Sequence, residues 1–119
     1  MVNYFFDTCA IIELFEKKAS YMPFGEFPLI TTTMNKVELY WWALREGKEA
    51  VGDALLEAIY GQEIDNEVIR EAMHFRKKNS KKDISYTDAI GYSFAKIHGL
   101  LFLTGDTAFQ GLPGVKFVK

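Results

Sequence analysis

Apolar residues along this chain fall into short unbroken runs and longer stretches that recur at helical spacing. Val2 to Phe6 is a compact run ended by Asp7-Thr8, which predicts a strand followed at once by a helix start. Ile11, Leu14, Phe15 and Lys18 keep helical spacing, and Pro23, Gly25 and Pro28 separate that helix from a second strand at Leu29 to Thr32. Val37, Tyr40, Trp41 and Leu44 recur at i, i+3, i+4, i+7 and predict one apolar helix face, ending near Gly47. Val51, Ala54, Leu55, Ala58 and Ile59 form the stripe of a third helix, and Gly61 closes it before a short strand around Gln62 to Ile64. Asp65 or Asn66 caps a fourth helix through Ile69, Ala72, Met73 and Arg76. Ser85 caps a fifth, whose Tyr86, Ala89, Ile90, Ser93, Phe94 and Ile97 point inward and which stops at Gly99. Leu100 to Thr104 and Val115 to Val118 are the last strands, joined by the turn-rich segment from Gly105 to Gly114.

Strands that alternate with helices, and that show almost no polar alternation of their own, predict a parallel sheet covered on both faces, an α/β fold. A length of 119 residues with 49% hydrophobic and 25% charged side chains suits one domain spanning the chain and excludes a disordered composition. No apolar run approaches the roughly 18 residues of a spanning helix. The amino terminus has no basic segment and Asp7 interrupts its apolar stretch, so the expectation is a cytoplasmic protein without membrane contact. Sixteen acidic and fourteen basic side chains leave a net charge of -2, so any phosphate binding must be local.

The acids carry the candidate chemistry. In an open parallel sheet, ligands bind beyond the carboxyl ends of the strands, where the next helices begin. Asp7 follows the first strand, Glu38 is expected in the first turn of the helix after the second, Asp88 lies in the first turn of the fifth helix, and Asp106 follows Leu100 to Thr104. Each alone has an ordinary explanation. Asp7 suits an N-cap, 35–38 and 85–88 resemble capping boxes, and Gly105-Asp106 is common turn chemistry. Together they predict four carboxylates at one rim, although nothing in the sequence fixes the lateral position of Asp88. Like charges gathered there demand a cation, and an all-oxygen donor set selects Mg²⁺ or Mn²⁺. Such a cluster suits phosphodiester hydrolysis.

The segments Asn3 to Thr8, Thr33 to Leu39, Ser85 to Ala89 and Leu103 to Phe109 resemble the PIN domain, especially VapC-like toxin ribonucleases, across nearly the whole chain. The resemblance implies a three-layer α/β/α domain around a parallel sheet of four to five strands, and endonucleolytic cleavage of RNA with Mg²⁺ or Mn²⁺. By that likeness Asp7, Glu38, Asp88 and Asp106 would hold metal and position water, with Asn35 or Thr104 in support. It also implies a VapB-like antitoxin partner and a homodimer.

Two other readings of the same chain compete with this one. A noncatalytic PIN-like module would bind RNA or a protein without cutting. A receiver-type phosphoacceptor has this length and an acidic pocket, but needs adjacent acids after the first strand and a lysine after the last core strand. Here Phe6 and Thr8 flank Asp7, and the later strand ends Thr104-Gly105-Asp106.

Outside the acids, Arg76, Lys77, Lys78, Lys81 and Lys82 place five cations in seven residues, either an RNA-backbone contact or a solvated helix end. Trp41 falls on the expected core stripe, whereas Trp42 points off it and suits a dimer or partner interface. Cys9 reads as a small apolar residue of the first helix, and His74 and His98 lack any ligand spacing.

Overall fold

A computed structural model of the chain describes residues 2–119. Its elements are β1 (Tyr4–Phe6), α1 (Thr8–Phe15), β2 (Thr31–Thr32), α2 (Thr33–Arg45), α3 (Glu49–Ala58), β3 (Gly61–Gln62), α4 (Asn66–Lys78), α5 (Tyr86–Ile97), β4 (Leu101–Thr104) and β5 (Val115–Phe117), with short 3-10 turns at Met22–Glu26 and Thr107–Phe109. Every strand pairing is parallel. β4 lies between β1 and β5, and β2 pairs with β3. The two groups meet where Phe5 bridges Ile30 and the Phe6 N–H donates to the Ile30 carbonyl at 2.8 Å. The resulting order, β3-β2-β1-β4-β5, differs from the 2-1-3-4-5 order of the flavodoxin-like receiver fold.

Because successive strand residues point to opposite faces, the pleat sorts the core into two halves. Phe5 and Phe102 face α4 and α5, packing with Val68, Ala72, Ala89, Ile90 and Phe94. Phe6 and Leu103 face the other way, onto Ala10 and Ile11 of α1, Leu39 of α2, and Tyr21 and Ile59. The layers are therefore α/β/α. At Gly91 a Cβ would stand 2.8 Å from Phe5 Cε1 and 3.1 Å from Phe102 Cε1, so the missing side chain lets α5 close on β1 and β4. That approach fixes where the first turn of α5 lies against the sheet.

The element order follows the sequence reading; the face of α2 is misassigned, and single stripe positions in other helices, Ala54 and Ala58 of α3 among them, are exposed. The buried residues of α2 are Asn35, Leu39 and Ala43, while Val37 (61% exposed), Trp41 (59%) and Leu44 face outward. The covered face is centred two residues, about 200°, away from the predicted one. The reason lies at the helix start. Asn35 Oδ1 accepts the Thr32 N–H at 3.2 Å and the Thr32 hydroxyl at 2.7 Å, so a polar residue faces the sheet and sets the rotation of the helix. This also places the capping contacts at 32 and 35 rather than 35 and 38, and puts Glu38 in the second turn of α2 rather than the first. The tryptophans exchange roles accordingly. Trp42 is half-buried, 6.4 Å edge-on from Phe15 and under the Lys48 ammonium at 5.4 Å, whereas Trp41 is the exposed one. In α4 the buried position is Val68 and Ile69 is exposed, and in α5 Tyr86 is likewise exposed. No helix among the described residues is long and apolar enough to cross a membrane.

Candidate active site

The carboxyl ends of β1 and β4 lie side by side, since Phe6 is in register with Leu103 and the Asp7 N–H donates to the Leu103 carbonyl at 3.1 Å. The next residues therefore leave the sheet together. Asp7 caps α1, accepting the Thr8 N–H on Oδ1 at 2.9 Å. Its Oδ2 accepts the Thr104 hydroxyl at 2.7 Å, and the Cys9 thiol lies 3.5 Å from the same oxygen. Thr104 Oγ1 in turn receives the Asp106 N–H at 3.1 Å, and Asp106 Oδ1 caps the following turn through the Ala108 N–H at 2.9 Å. One hydroxyl thus ties the acid after β1 to the acid after β4.

A second chain of hydrogen bonds holds Glu38. Asn35 is fully buried, with its carbonyl oxygen occupied by Thr32 and its Nδ2 donating to Thr8 Oγ1 at 3.0 Å. That donation fills a lone pair of the Thr8 oxygen and commits the hydroxyl proton to Glu38 Oε1 at 2.6 Å. Glu38 Oε2 has no protein donor among the described residues, nor has Asp106 Oδ2. Asp88 sits in the first turn of α5, where the Ser85 oxygen takes its N–H at 3.1 Å.

All four acids line one cleft of about 610 Å³. Asp7 is 3% exposed, and burial pushes its carboxyl up to about 6, against the lowering hydrogen bonds from Thr104 and Thr8. Asp88 is raised further, to about 7, by burial first, then by the charges of Asp7 and Glu38 and, more weakly, of Asp106. The rise at Asp88 therefore reflects burial first and the neighbouring acids second. None of the four takes part in an ion pair among the described residues, where the pairs are Lys18–Glu13, Lys48–Glu16 and Lys96–Glu71. The acids share a cleft without forming a closed cage: among the described residues no three Asp, Glu, His or Cys side chains are drawn into a ready-made metal-ligating group.

The structure brings the four acids singled out in the sequence to one cleft and places Asn35 and Thr104 behind them, hydrogen-bonded to Thr8 and Asp7; Thr8 and Cys9, which line the same cleft, were not singled out. Cys9 is a cleft residue, with its thiol pushed up to about 12 by burial and the Asp7 charge, so it stays a neutral donor. Thr8 was read only as part of a helix start. Its bridging of Asn35 and Glu38 across two helices is a property of three-dimensional packing with no signature in spacing. Trp41, Trp42 and Arg45 form the α2 side of the cleft. The basic segment lies elsewhere, with Arg76, Lys77, Lys81 and Lys82 lining a separate groove. His98 ends α5 with its ring 4.2 Å from that of Phe94, and His74 is exposed, so neither lines the cleft.

Similarity to known proteins agrees with this geometry. The family model for the PIN domain matches residues 4–115. No curated protein matches the sequence. A solved chain from a toxin-antitoxin complex of Klebsiella pneumoniae shares the fold, with a TM-score of 0.77 over 96% of this chain and 96% of that one at 21% identity. Matched over nearly its whole length and built on five parallel strands that end in a four-acid cleft, the chain belongs to the PIN domain family.

Proposed function

We propose that this chain is a one-domain, Mg²⁺- or Mn²⁺-dependent endoribonuclease that hydrolyses RNA phosphodiester bonds, and that it acts in the cytoplasm as the toxin of a VapBC-like toxin-antitoxin pair. The observation that carries the proposal is the set of four uncompensated carboxylates, Asp7, Glu38, Asp88 and Asp106, drawn from distant parts of the chain to one cleft. The donor set fits a hard divalent cation. It is all oxygen, Glu38 Oε2 and Asp106 Oδ2 are free of protein donors among the described residues, and none of the four acids has a cationic partner among those residues. These four residues would hold the ion, which when bound supplies Lewis acidity and counter-charge for phosphodiester hydrolysis.

The protein's own contribution is orientation. Thr104 fixes Asp7 and, through the Asp106 N–H, the turn carrying Asp106. Asn35 fixes Thr8, which fixes Glu38 with one oxygen bound and the other turned free. Both devices are buried polar networks that hold acids in place before any ligand arrives. The fold neighbour from a toxin-antitoxin complex supports an antitoxin partner, and the exposed Val37, Trp41 and Leu44 on α2 support self-association.

The test is cleavage of RNA by the purified chain with Mg²⁺ or Mn²⁺, compared with Asp7→Asn of verified circular dichroism. Cleavage lost in the folded variant and in chelator is expected. An Asp7→Asn variant that cuts at the wild-type rate refutes the proposal, and wild-type protein that binds RNA but never cuts it assigns the noncatalytic alternative. Co-expression of the neighbouring reading frame, followed by co-purification and loss of cleavage, tests the antitoxin. Light scattering tests the dimer.

A further inference from the structure

The densest positive charge of the molecule lies outside the acidic cleft, at the end of α4 and in the turn to α5. Residues 76–82 carry five of the fourteen Lys and Arg and no acid, so the rest of the chain has nine cations against sixteen acids, a net of -7. None of these five cations has a carboxylate partner among the described residues.

Lys77, Lys78, Lys81 and Lys82 are exposed, as at a solvated helix end, but Arg76 and Lys82 are held in place by the protein. Arg76, Lys77, Ser80, Lys81 and Lys82, with Asp83 as the one acid, line a groove of about 410 Å³. Two of its walls are pinned. Arg76 Nε donates to the Ile84 carbonyl at 2.8 Å while its guanidinium lies 4.2 Å over the Tyr86 ring. Lys82 Nζ donates to the Ala108 carbonyl at 2.9 Å. Lys77 and Lys81 are left with no hydrogen-bond or ion-pair partner among the described residues. The Lys82 latch also says where the groove sits. Ala108 takes the Lys82 ammonium on its carbonyl and gives its N–H to Asp106, so one residue joins the wall of the groove to the rim of the acidic cleft.

From this we infer that the groove at 76–82 is a second binding site, for the phosphodiester backbone of a single RNA strand that runs on from the cleft past Asp106. Lys77 and Lys81 are its free contacts, and Arg76 and Lys82 its fixed walls. The cleft acids repel a polyanion, and this site supplies the attraction that they cannot. The inference rests on the nuclease reading only for naming the polyanion as RNA.

The experiment measures fluorescence anisotropy of a fluorescein-labelled, 20-nucleotide single-stranded RNA with the full chain in chelator, across a salt series. The variant is Lys77→Gln with Lys81→Gln, two exposed changes that leave the pinned residues intact. A control of equal charge carries Lys36→Gln and Lys116→Gln. Each lost phosphate contact lowers the slope of log affinity against log salt by about 0.7 for a single strand, so the slope falls by about 1.4 and binding at 0.1 M salt weakens by about 25-fold if this contribution vanishes at 1 M. The control keeps the wild-type slope. Equal behaviour of the two variants, no RNA binding by the wild type, or capture of poly-L-glutamate in place of RNA overturns the inference. The two proposals fail separately: RNA held with the full slope but never cut leaves the groove standing without the nuclease. RNA cut normally, with Lys77 and Lys81 dispensable for binding, leaves the nuclease without the groove.

Discussion

Asp88→Asn is expected to stabilise the metal-free protein at pH 8 and to have a vanishing effect as the pH approaches 4. The carboxyl rises from its ordinary 3.8 to about 7 because the fold buries it and surrounds it with Asp7, Glu38 and Asp106. Holding it ionised at pH 8 then costs about 4 kcal/mol, at 1.36 kcal/mol for each tenfold change. Asp88 is half-buried rather than sealed, and solvent screens part of that penalty, so about 2 kcal/mol is the expected gain on removing the charge. For a chain of this size this is roughly an 8 °C rise in Tm.

The sign follows from linkage. A carboxyl whose folded value lies above its unfolded value binds more protons in the native state, so the contribution of Asp88 to stability is greatest below about 4 and is lost as the pH climbs through 7. The amide does not titrate, and the gap between variant and wild type opens over that same window. Urea unfolding in chelator at several pH values from 4 to 8 measures it. Millimolar Mg²⁺ or Mn²⁺ should then reverse the order, because an ion that binds only native wild type adds about 2.7 kcal/mol at a hundred times its Kd. An Asp88→Asn protein less stable than wild type at pH 8 in chelator, or a gap independent of pH, refutes the electrostatic picture of the cleft.

Four further outcomes follow from particular contacts. Leu39→Ala should cost about 2–5 kcal/mol in denaturant unfolding and Trp41→Ala less than about 1 kcal/mol, because Leu39 is the sealed residue of α2 and Trp41 the exposed one. Gly91→Ala should destabilise by about 1–3 kcal/mol despite the better helix former, since the new methyl meets the Phe5 and Phe102 rings; an unchanged midpoint contradicts the close approach of α5. Thr8→Val should lower kcat for RNA cleavage while leaving RNA affinity in chelator unchanged, and Thr8→Ser should restore it, because the hydroxyl acts through Glu38. Mn²⁺ affinity measured by calorimetry should weaken from pH 8 to pH 5.5 with proton release on binding, as Asp88 near 7 and Asp7 near 6 take up protons that compete with the ion; a flat profile contradicts those raised values.

The acids were legible because their positions follow from chain order. A carboxylate directly after a parallel strand must emerge at the carboxyl edge, so Asp7 and Asp106 needed only the strands to be found, and the Phe6-to-Leu103 register then brings them together. Asp88 needed more, because its place depends on how closely α5 lies on β1 and β4, and that is set by the absent side chain of Gly91. Thr8 and Cys9 were not legible. A hydroxyl or thiol beside a strand end is unremarkable in sequence, and its role depends on which rotamer the packing selects.

The misread face of α2 and the four-acid cleft have one physical origin. Judged by apolar side chains alone, Val37, Trp41 and Leu44 should turn inward, and the helix would then carry Asn35 and Glu38 away from the sheet. The observed rotation does the reverse. It buries Asn35, whose Oδ1 accepts two hydrogen bonds from Thr32 and whose Nδ2 donates one to Thr8, and accepts the exposure of a tryptophan, a valine and a leucine. Leaving such a buried amide unpaired would cost about 1–3 kcal/mol, and the three hydrogen bonds that Asn35 makes hold α2 in the observed rotation. That rotation aims Glu38 into the cleft beside Asp7. Patterning therefore errs over a whole face at α2, where hydrophobic burial and the placement of a carboxylate conflict, and only at single positions elsewhere, as expected where local rules yield to a site.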